Sequence, residues 1–227
     1  MTSINTRFVA VRSQIRQAEL ANGRNPGDVK LLAVSKTKPV KDIIALYHLG
    51  QRHFGESYLQ ESLTKQHQLG AFDITWHFIG PIQSNKTKAL AAHFNWVHSV
   101  DRLKIATRLS EQRPKSLPPL NICLQVNISE EQSKSGISLN ELADLIKQVE
   151  QLPNLRLRGV MAIPSPQTDY QLQRKPYHLL NEVVTQLNNP MLTTFSYGMS
   201  GDLQAAIAEG ATIIRVGTAL FGKRNIP

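Results

Sequence analysis

The apolar residues of the first 25 positions keep helical time. Ile4, Phe8, Val11, Ile15 and Ala18 recur at spacings of 4, 3, 4 and 3, which stacks them on one face of a helix. Gly23 supplies the stop. After this prelude the pattern changes to short apolar runs separated by helical patterns. The runs lie at 30–36 (KLLAVSK), 52–55, 74–80 (ITWHFIG), 95–100, 120–127 (LNICLQVN), 155–163 (LRLRGVMAI), 192–197 and 212–217 (TIIRVG), which predicts eight strands. Helical patterns fall near 40–50, 57–69, 84–93, 101–113, 138–151, 176–188 and 202–209. Asp101 is expected as an N-cap, Ser138 with Glu141 as a capping box, and Pro176 in the first turn of its helix, where its missing N–H costs nothing.

Alternation of strand and helix implies parallel strands, because each crossover helix returns the chain to the same end of the sheet. Several runs are apolar on both faces, as strands covered by helices must be. Eight such units predict a single (β/α)8 TIM barrel, an α/β fold, with an extra N-terminal helix. An open doubly wound sheet is the alternative, but no dinucleotide-type glycine pattern follows the first strand. The length of 227 residues suits one such domain spanning 1–227, and the stretches at 114–119 and 164–166 are short loops rather than linkers.

Composition narrows the setting. The lone cysteine, Cys123, excludes an intramolecular disulfide and fits a reducing compartment. No run is long and apolar enough for a membrane span, and the N-terminus lacks the apolar core of a signal peptide, so a cytoplasmic protein is expected. The Asn-x-Ser/Thr triplets at Asn85 and Asn127 are then chance matches. Net charge is +9, and it is uneven: the first 113 residues carry 16 basic against 8 acidic side chains, the rest 10 against 9. That bias favours anionic ligands. The basic residues are scattered without aromatic interleaving, so nucleic acid is not the expected partner.

In a barrel, function gathers where strands end. Lys36 closes the first run. Desolvation at the barrel mouth and like charge from Lys38 would both favour its neutral amine, the form that makes a Schiff base; a solvated loop lysine is the plain alternative. The segment Tyr197-Gly198-Met199-Ser200-Gly201-Asp202 before a helix offers close backbone approach, a hydroxyl and unpaired N–H groups for an anion. Arg215-Val216-Gly217-Thr218 closes the eighth run. Loops after strands 7 and 8 are a common phosphate site in barrels. A lysine after strand 1 facing such a cradle points to pyridoxal phosphate.

At this point the chain resembles a known family, the pyridoxal phosphate homeostasis proteins, whose barrel is like the N-terminal domain of alanine racemase. The matching motifs run nearly end to end: LLAVSKTKP (31–39), FGESYLQE (54–61), WHFIGPIQSNK (76–86), SVDR (99–102), QVNISEEQSKSGI (125–137), LRGVMAIP (157–164), GMSGD (198–202) and IRVGTALFG (214–222). The resemblance implies that Lys36 is the Schiff-base lysine, that Ser200, Gly201, Gly217 and Thr218 surround the phosphate, and that Arg215 faces the pyridine nitrogen. Ser57 stands where the family usually has Asn. The implied function is to buffer or deliver pyridoxal 5'-phosphate in intracellular vitamin B6 homeostasis, without substantial turnover, as a monomer that hands the cofactor to pyridoxal phosphate-dependent apoenzymes. A racemase or related amino-acid enzyme with an open site is the competing class. A basic protein with an anionic macromolecular partner is a third.

Other polar residues are expected to be structural. The seven histidines lack zinc-ligand spacing, so no metal is expected, and His77, between Trp76 and Phe78, is taken as a hydrogen-bonded barrel histidine. Cys123 is taken as an inert buried thiol. Nothing in the sequence pairs Glu56 or Glu61 with another carboxylate. Tyr58 and Tyr197 fall near the rim, but nothing marks either as a base. The 127–137 segment is a candidate mobile loop beside the site.

Overall fold

In the computed structural model, which describes residues 3–129, 131 and 134–222, each apolar run becomes a parallel strand. These are β1 (Lys30–Val34), β2 (His53–Glu56), β3 (Thr75–Phe78), β4 (Trp96–Val100), β5 (Leu120–Val126), β6 (Leu155–Ala162), β7 (Thr194–Ser196) and β8 (Ile213–Val216). They pair in chain order and close β8 onto β1. The fold is therefore the closed barrel, not the open sheet. Helices α2 (Val40–His48), α3 (Leu59–Gln68), α4 (Thr87–His93), α5 (Leu103–Glu111), α6 (Leu139–Val149), α7 (Tyr170–Gln186) and α8 (Leu203–Ala208) form the crossovers, after α1 (Ile4–Ala21) and before the short α9 (Thr218–Phe221).

The core lies between the barrel and its helices. Leu31, Phe54, Phe94, Leu109, Leu180 and Ile214 are among its fully or almost fully buried members. α1 packs on α2, α8 and α9 through Val11, Ile15 and Ala18. Its buried Glu19 accepts the Val29 N–H at 2.7 Å, which anchors the entry into β1. Among the described residues no helix is long and apolar enough to cross a membrane.

The local expectations divide. The Ser138–Glu141 capping box forms. Asp101 is not the N-cap: Arg102 occupies that position without a side-chain cap, and Asp101 pairs with the Arg102 guanidinium at 3.0 Å. β4 runs through Val100, so the next two residues are spent on the turn. Pro176 lies inside α7, not in its first turn. Asp169 caps the start by accepting the Leu172 N–H at 2.9 Å. The proline removes one hydrogen bond to the Leu172 carbonyl, on an exposed residue, and the capped first turn offsets part of that cost. The stems of the 127–137 loop are tied, with Asn127 N–H donating to the Ile137 carbonyl at 2.9 Å. Residues 130, 132 and 133 of that loop lie outside the described residues.

Candidate functional site

β1 ends in a turn held from behind. The Ser35 N–H continues the ladder to the Gly55 carbonyl at 3.0 Å, and its side chain points outward to Glu56 Oε1 at 2.6 Å. The alternation of the strand then sends Lys36 toward the barrel mouth. Thr37 adopts φ +62°, a left-handed conformation costly for a β-branched residue, and its N–H donates to Glu61 Oε1 at 2.7 Å. Lys65 ties these pieces together, donating to the Ser35 carbonyl (2.7 Å), Glu56 Oε1 (2.9 Å) and Glu61 Oε1 (2.5 Å). Glu56 is fully buried. Burial pushes its carboxyl above the usual range, and this outweighs the opposing pull of Lys65 and the Ser35 hydroxyl. Its Oε2 has no hydrogen-bond partner among the described residues. Both neighbours of Lys36 are thus clamped while its own side chain faces the mouth.

Two residues past β7 stands Gly198, whose φ of +90° only glycine adopts without strain. A Cβ there would lie 2.5 Å from Ala206 Cβ and 2.7 Å from Ile214 Cδ1. This close approach lets the Gly198 carbonyl accept the Arg215 N–H at 3.0 Å. Asp202 shapes the following turn. Its Oδ1 accepts the Met199 N–H at 2.6 Å and its Oδ2 accepts the Tyr177 hydroxyl at 2.6 Å. Ser200 and Gly201 stand exposed at the rim, and a Cβ on Gly201 would meet nothing within 4 Å.

β8 brings Arg215 to the floor of the mouth, almost fully buried. Its Nη1 donates to the Ser196 carbonyl and, at 3.1 Å, to Ser196 Oγ; its Nη2 donates to the Ala162 carbonyl at 2.9 Å. A guanidinium carries five N–H donors, so Nε–H and one Nη2 proton remain for a ligand. Burial lowers its pKa from the ordinary arginine value. Gly217 then precedes α9, whose first N–H groups have no partner one turn back.

These strand ends enclose one cavity of about 320 Å³. All six residues singled out from the sequence, Lys36, Ser200, Gly201, Arg215, Gly217 and Thr218, line it. Val34, Ile79, Ile163 and Met199 supply apolar walls, and Lys38 lines it too, donating to the Gly222 carbonyl at 3.1 Å. Three basic side chains, Lys36, Lys38 and Arg215, face the space. Among the described residues, none lining it is a carboxylate or a tyrosine. An amine at one end, hydroxyls and helix starts at the rim, and a guanidinium on the floor suit a flat, anionic carbonyl compound. The donor set fits pyridoxal phosphate: amine for aldehyde, rim donors for phosphate, guanidinium for a ring nitrogen that accepts.

Other expected positions fall outside. Ser57 does not line the cavity; its carbonyl lies 2.3 Å from where a Cβ on Gly80 would stand. The Tyr197 hydroxyl is buried and donates to the Glu209 carbonyl at 2.5 Å, and burial raises its pKa, so it is no base. Tyr58 is exposed and away from the lining. Cys123 is buried, and its thiol is pushed up to about 12. His77 is the hydrogen-bonded barrel histidine expected of it, but it does not stand alone. It lies between His53 (3.0 Å) and His98 (2.9 Å), which the sequence did not mark, and Trp96 stacks on it. The Lys65 clamp was likewise unmarked; its only sequence trace is the i,i+4 spacing of Glu61 and Lys65.

Residues 10–225 match the family described as alanine racemase, N-terminal domain. A Pseudomonas aeruginosa protein called pyridoxal phosphate homeostasis protein is 56% identical over 225 residues, covering 99% of this chain and 97% of that one. PipY of Synechococcus elongatus is 37% identical in its structure without pyridoxal phosphate, with TM-score 0.87 over 97% of this chain and 100% of PipY. In its structure with pyridoxal phosphate bound the values are 36% and 0.85, with the same coverage. An alanine racemase of Clostridium difficile shares the fold at TM-score 0.78 and 11% identity; the match covers 98% of this chain and 60% of the racemase.

Proposed function

This chain belongs to the alanine racemase N-terminal domain family, among the pyridoxal phosphate homeostasis proteins, and from that premise we propose that it binds pyridoxal 5'-phosphate through Lys36 and buffers or delivers it rather than turning over a substrate. The observation that carries the reading is the cavity in which six residues from three strand ends meet, its described lining holding no carboxylate or tyrosine. When bound, the cofactor supplies an electrophilic aldehyde carbon and an electron-accepting ring.

Lys36 would supply the amine that holds that aldehyde, with water as the leaving group. The turn behind it, clamped by Lys65 and Glu61, holds the amine in place before the ligand arrives. Ser200 and Thr218 hydroxyls, with the backbone at Gly201 and Gly217, receive the phosphate. Arg215 would donate to the ring nitrogen, leaving it unprotonated and the ring a weaker electron sink. Racemisation needs an acid–base group on each face of the substrate carbon. Lys36 can serve one face, and among the described lining residues there is no carboxylate or tyrosine to serve the other. Release would be the reverse of binding, to water or to the amine of an acceptor apoenzyme. A cytoplasmic monomer suits that exchange.

The test is a visible spectrum of the purified protein, borohydride reduction and peptide mass mapping, then incubation with L-alanine. Cofactor mass on the Lys36 peptide with negligible D-alanine supports the reading. Turnover at or above about 1 per second, abolished by Lys36→Ala, restores the enzyme.

A further inference from the structure

Behind Arg215 a file of polar side chains runs through the barrel. Ser196 Oγ lies 2.8 Å from His98 Nδ1, His98 Nε2 lies 2.9 Å from His77 Nδ1, and His77 Nε2 lies 3.0 Å from His53 Nδ1. Ser196, His77 and His98 are fully buried. Each link joins the Nε2 of one ring to the Nδ1 of the next, so the file has a single sense.

Arg215 sets that sense. A guanidinium only donates, so Ser196 Oγ accepts from it at 3.1 Å. Among the described residues the hydroxyl has one other partner, His98 Nδ1. Its proton goes there, since a buried hydroxyl proton aimed nowhere is costly. His98 then carries its proton on Nε2 and donates to His77. By the same step His77 carries its proton on Nε2 and donates to His53. Every gap holds one proton and every ring is neutral. Burial agrees, pulling His53 to about 4 and His98 to about 3, with His77 also well below the ordinary value.

We propose that Ser196 and His98, backed by His77 and His53, are positioning residues that aim the Arg215 guanidinium at the ring nitrogen of the ligand and so make the site selective for rings with an unprotonated nitrogen acceptor. Ser196 holds Nη1 at two points, by its carbonyl and its hydroxyl, and the Ala162 carbonyl holds Nη2. Without the hydroxyl the guanidinium keeps its charge and loses one of three anchors. Because the file stays uncharged and points away from Arg215, no proton is offered to the ring from below. The inference rests on the pyridoxal phosphate reading.

The experiment compares dissociation constants of the full chain for pyridoxal phosphate and for its analogue with C–H in place of the ring nitrogen. A hydrogen bond to a charged donor predicts a wild-type preference for the nitrogen ring of about tenfold or more. Ser196→Ala should cut that preference to about threefold or less while both ligands still bind, and Ser196→Thr should restore it. An unchanged preference in Ser196→Ala overturns the positioning role. A wild-type protein without any preference overturns the contact of Arg215 with the ring nitrogen. Failure to bind pyridoxal phosphate at all overturns the functional reading itself. Ring ¹⁵N shifts of the unliganded wild-type protein give a second readout that needs no variant: His53, His77 and His98 should all be neutral with the proton on Nε2. A proton on Nδ1 of His98 overturns the proposal even if the affinities agree.

Discussion

Lys65 reaches back from α3 to the carbonyl of Ser35, 2.7 Å away and fully enclosed, so a helix on the outer layer holds the peptide from which Lys36 projects. The same ammonium holds Glu56 and Glu61. Lys65→Met removes the counter-charge and leaves Glu56 buried with no ion pair. Breaking a buried pair in this way typically costs about 3–5 kcal/mol, with the lower end expected here because Glu56 takes up a proton readily. Urea denaturation should show the loss, and adding Glu56→Gln should recover part of it. Equal stability of Lys65→Met and wild type would refute the clamp.

Lys36→Ala is expected to lose the visible absorption of the bound cofactor and any borohydride-fixed mass. It should retain affinity for phosphate esters through the rim. Mass fixed instead on Lys38, which shares the cavity, would reassign the amine.

Ser200→Ala and Thr218→Val each remove one hydroxyl from the rim. A hydrogen bond to a charged acceptor is worth about 1.5–3 kcal/mol, so each should weaken pyridoxal phosphate binding by about 10-fold or more. Binding of unphosphorylated pyridoxal should barely change. Equal losses for the two ligands, in fluorescence titrations, would remove these residues from the phosphate site.

Gly198→Ala combines a left-handed backbone with a Cβ 2.5 Å from Ala206. Strain and overpacking of this kind cost about 1–3 kcal/mol each. The Met199–Asp202 turn should shift with it, so the melting temperature and the phosphate affinity are expected to fall together. Loss of stability with intact affinity would show that the turn does not depend on Gly198.

The histidine file makes stability sensitive to acid. His53 and His98 titrate near 4 and near 3 in the fold, below the ~6.5 of an unfolded chain, and His77 is lowered too. As pH falls below about 6.5 the unfolded chain takes up protons first, so stability is lost from there down to the folded values, by at most about 1.4 kcal/mol per pH unit per histidine. His178, raised beside Glu209, and Glu56, raised by burial, work in the opposite direction. Urea midpoints at pH 7.5, 6.0 and 5.0 should decline, and His98→Asn should flatten the slope. A level profile in wild type would contradict neutral buried histidines.

What the sequence determined by itself is what short range physics controls. Apolar runs such as 30–36 and 155–163 specify strands because burial on both faces needs continuous apolar side chains. Ser138 and Glu141 specify a helix start because both partners lie within one turn. The strand ends then name Lys36, Ser200, Arg215 and Thr218, since a parallel barrel puts every strand end on one face. Tertiary structure decided the rest. His53, His77 and His98 are 24 and 21 residues apart with no shared local pattern, and only closure of the barrel stacks them behind Arg215. Lys65 is an ordinary helix lysine in sequence until α3 packs behind β1 and β2. Asp101 caps nothing because β4 ends one residue before it. Contacts across a barrel depend on the register of all its strands, and no window of sequence holds that information.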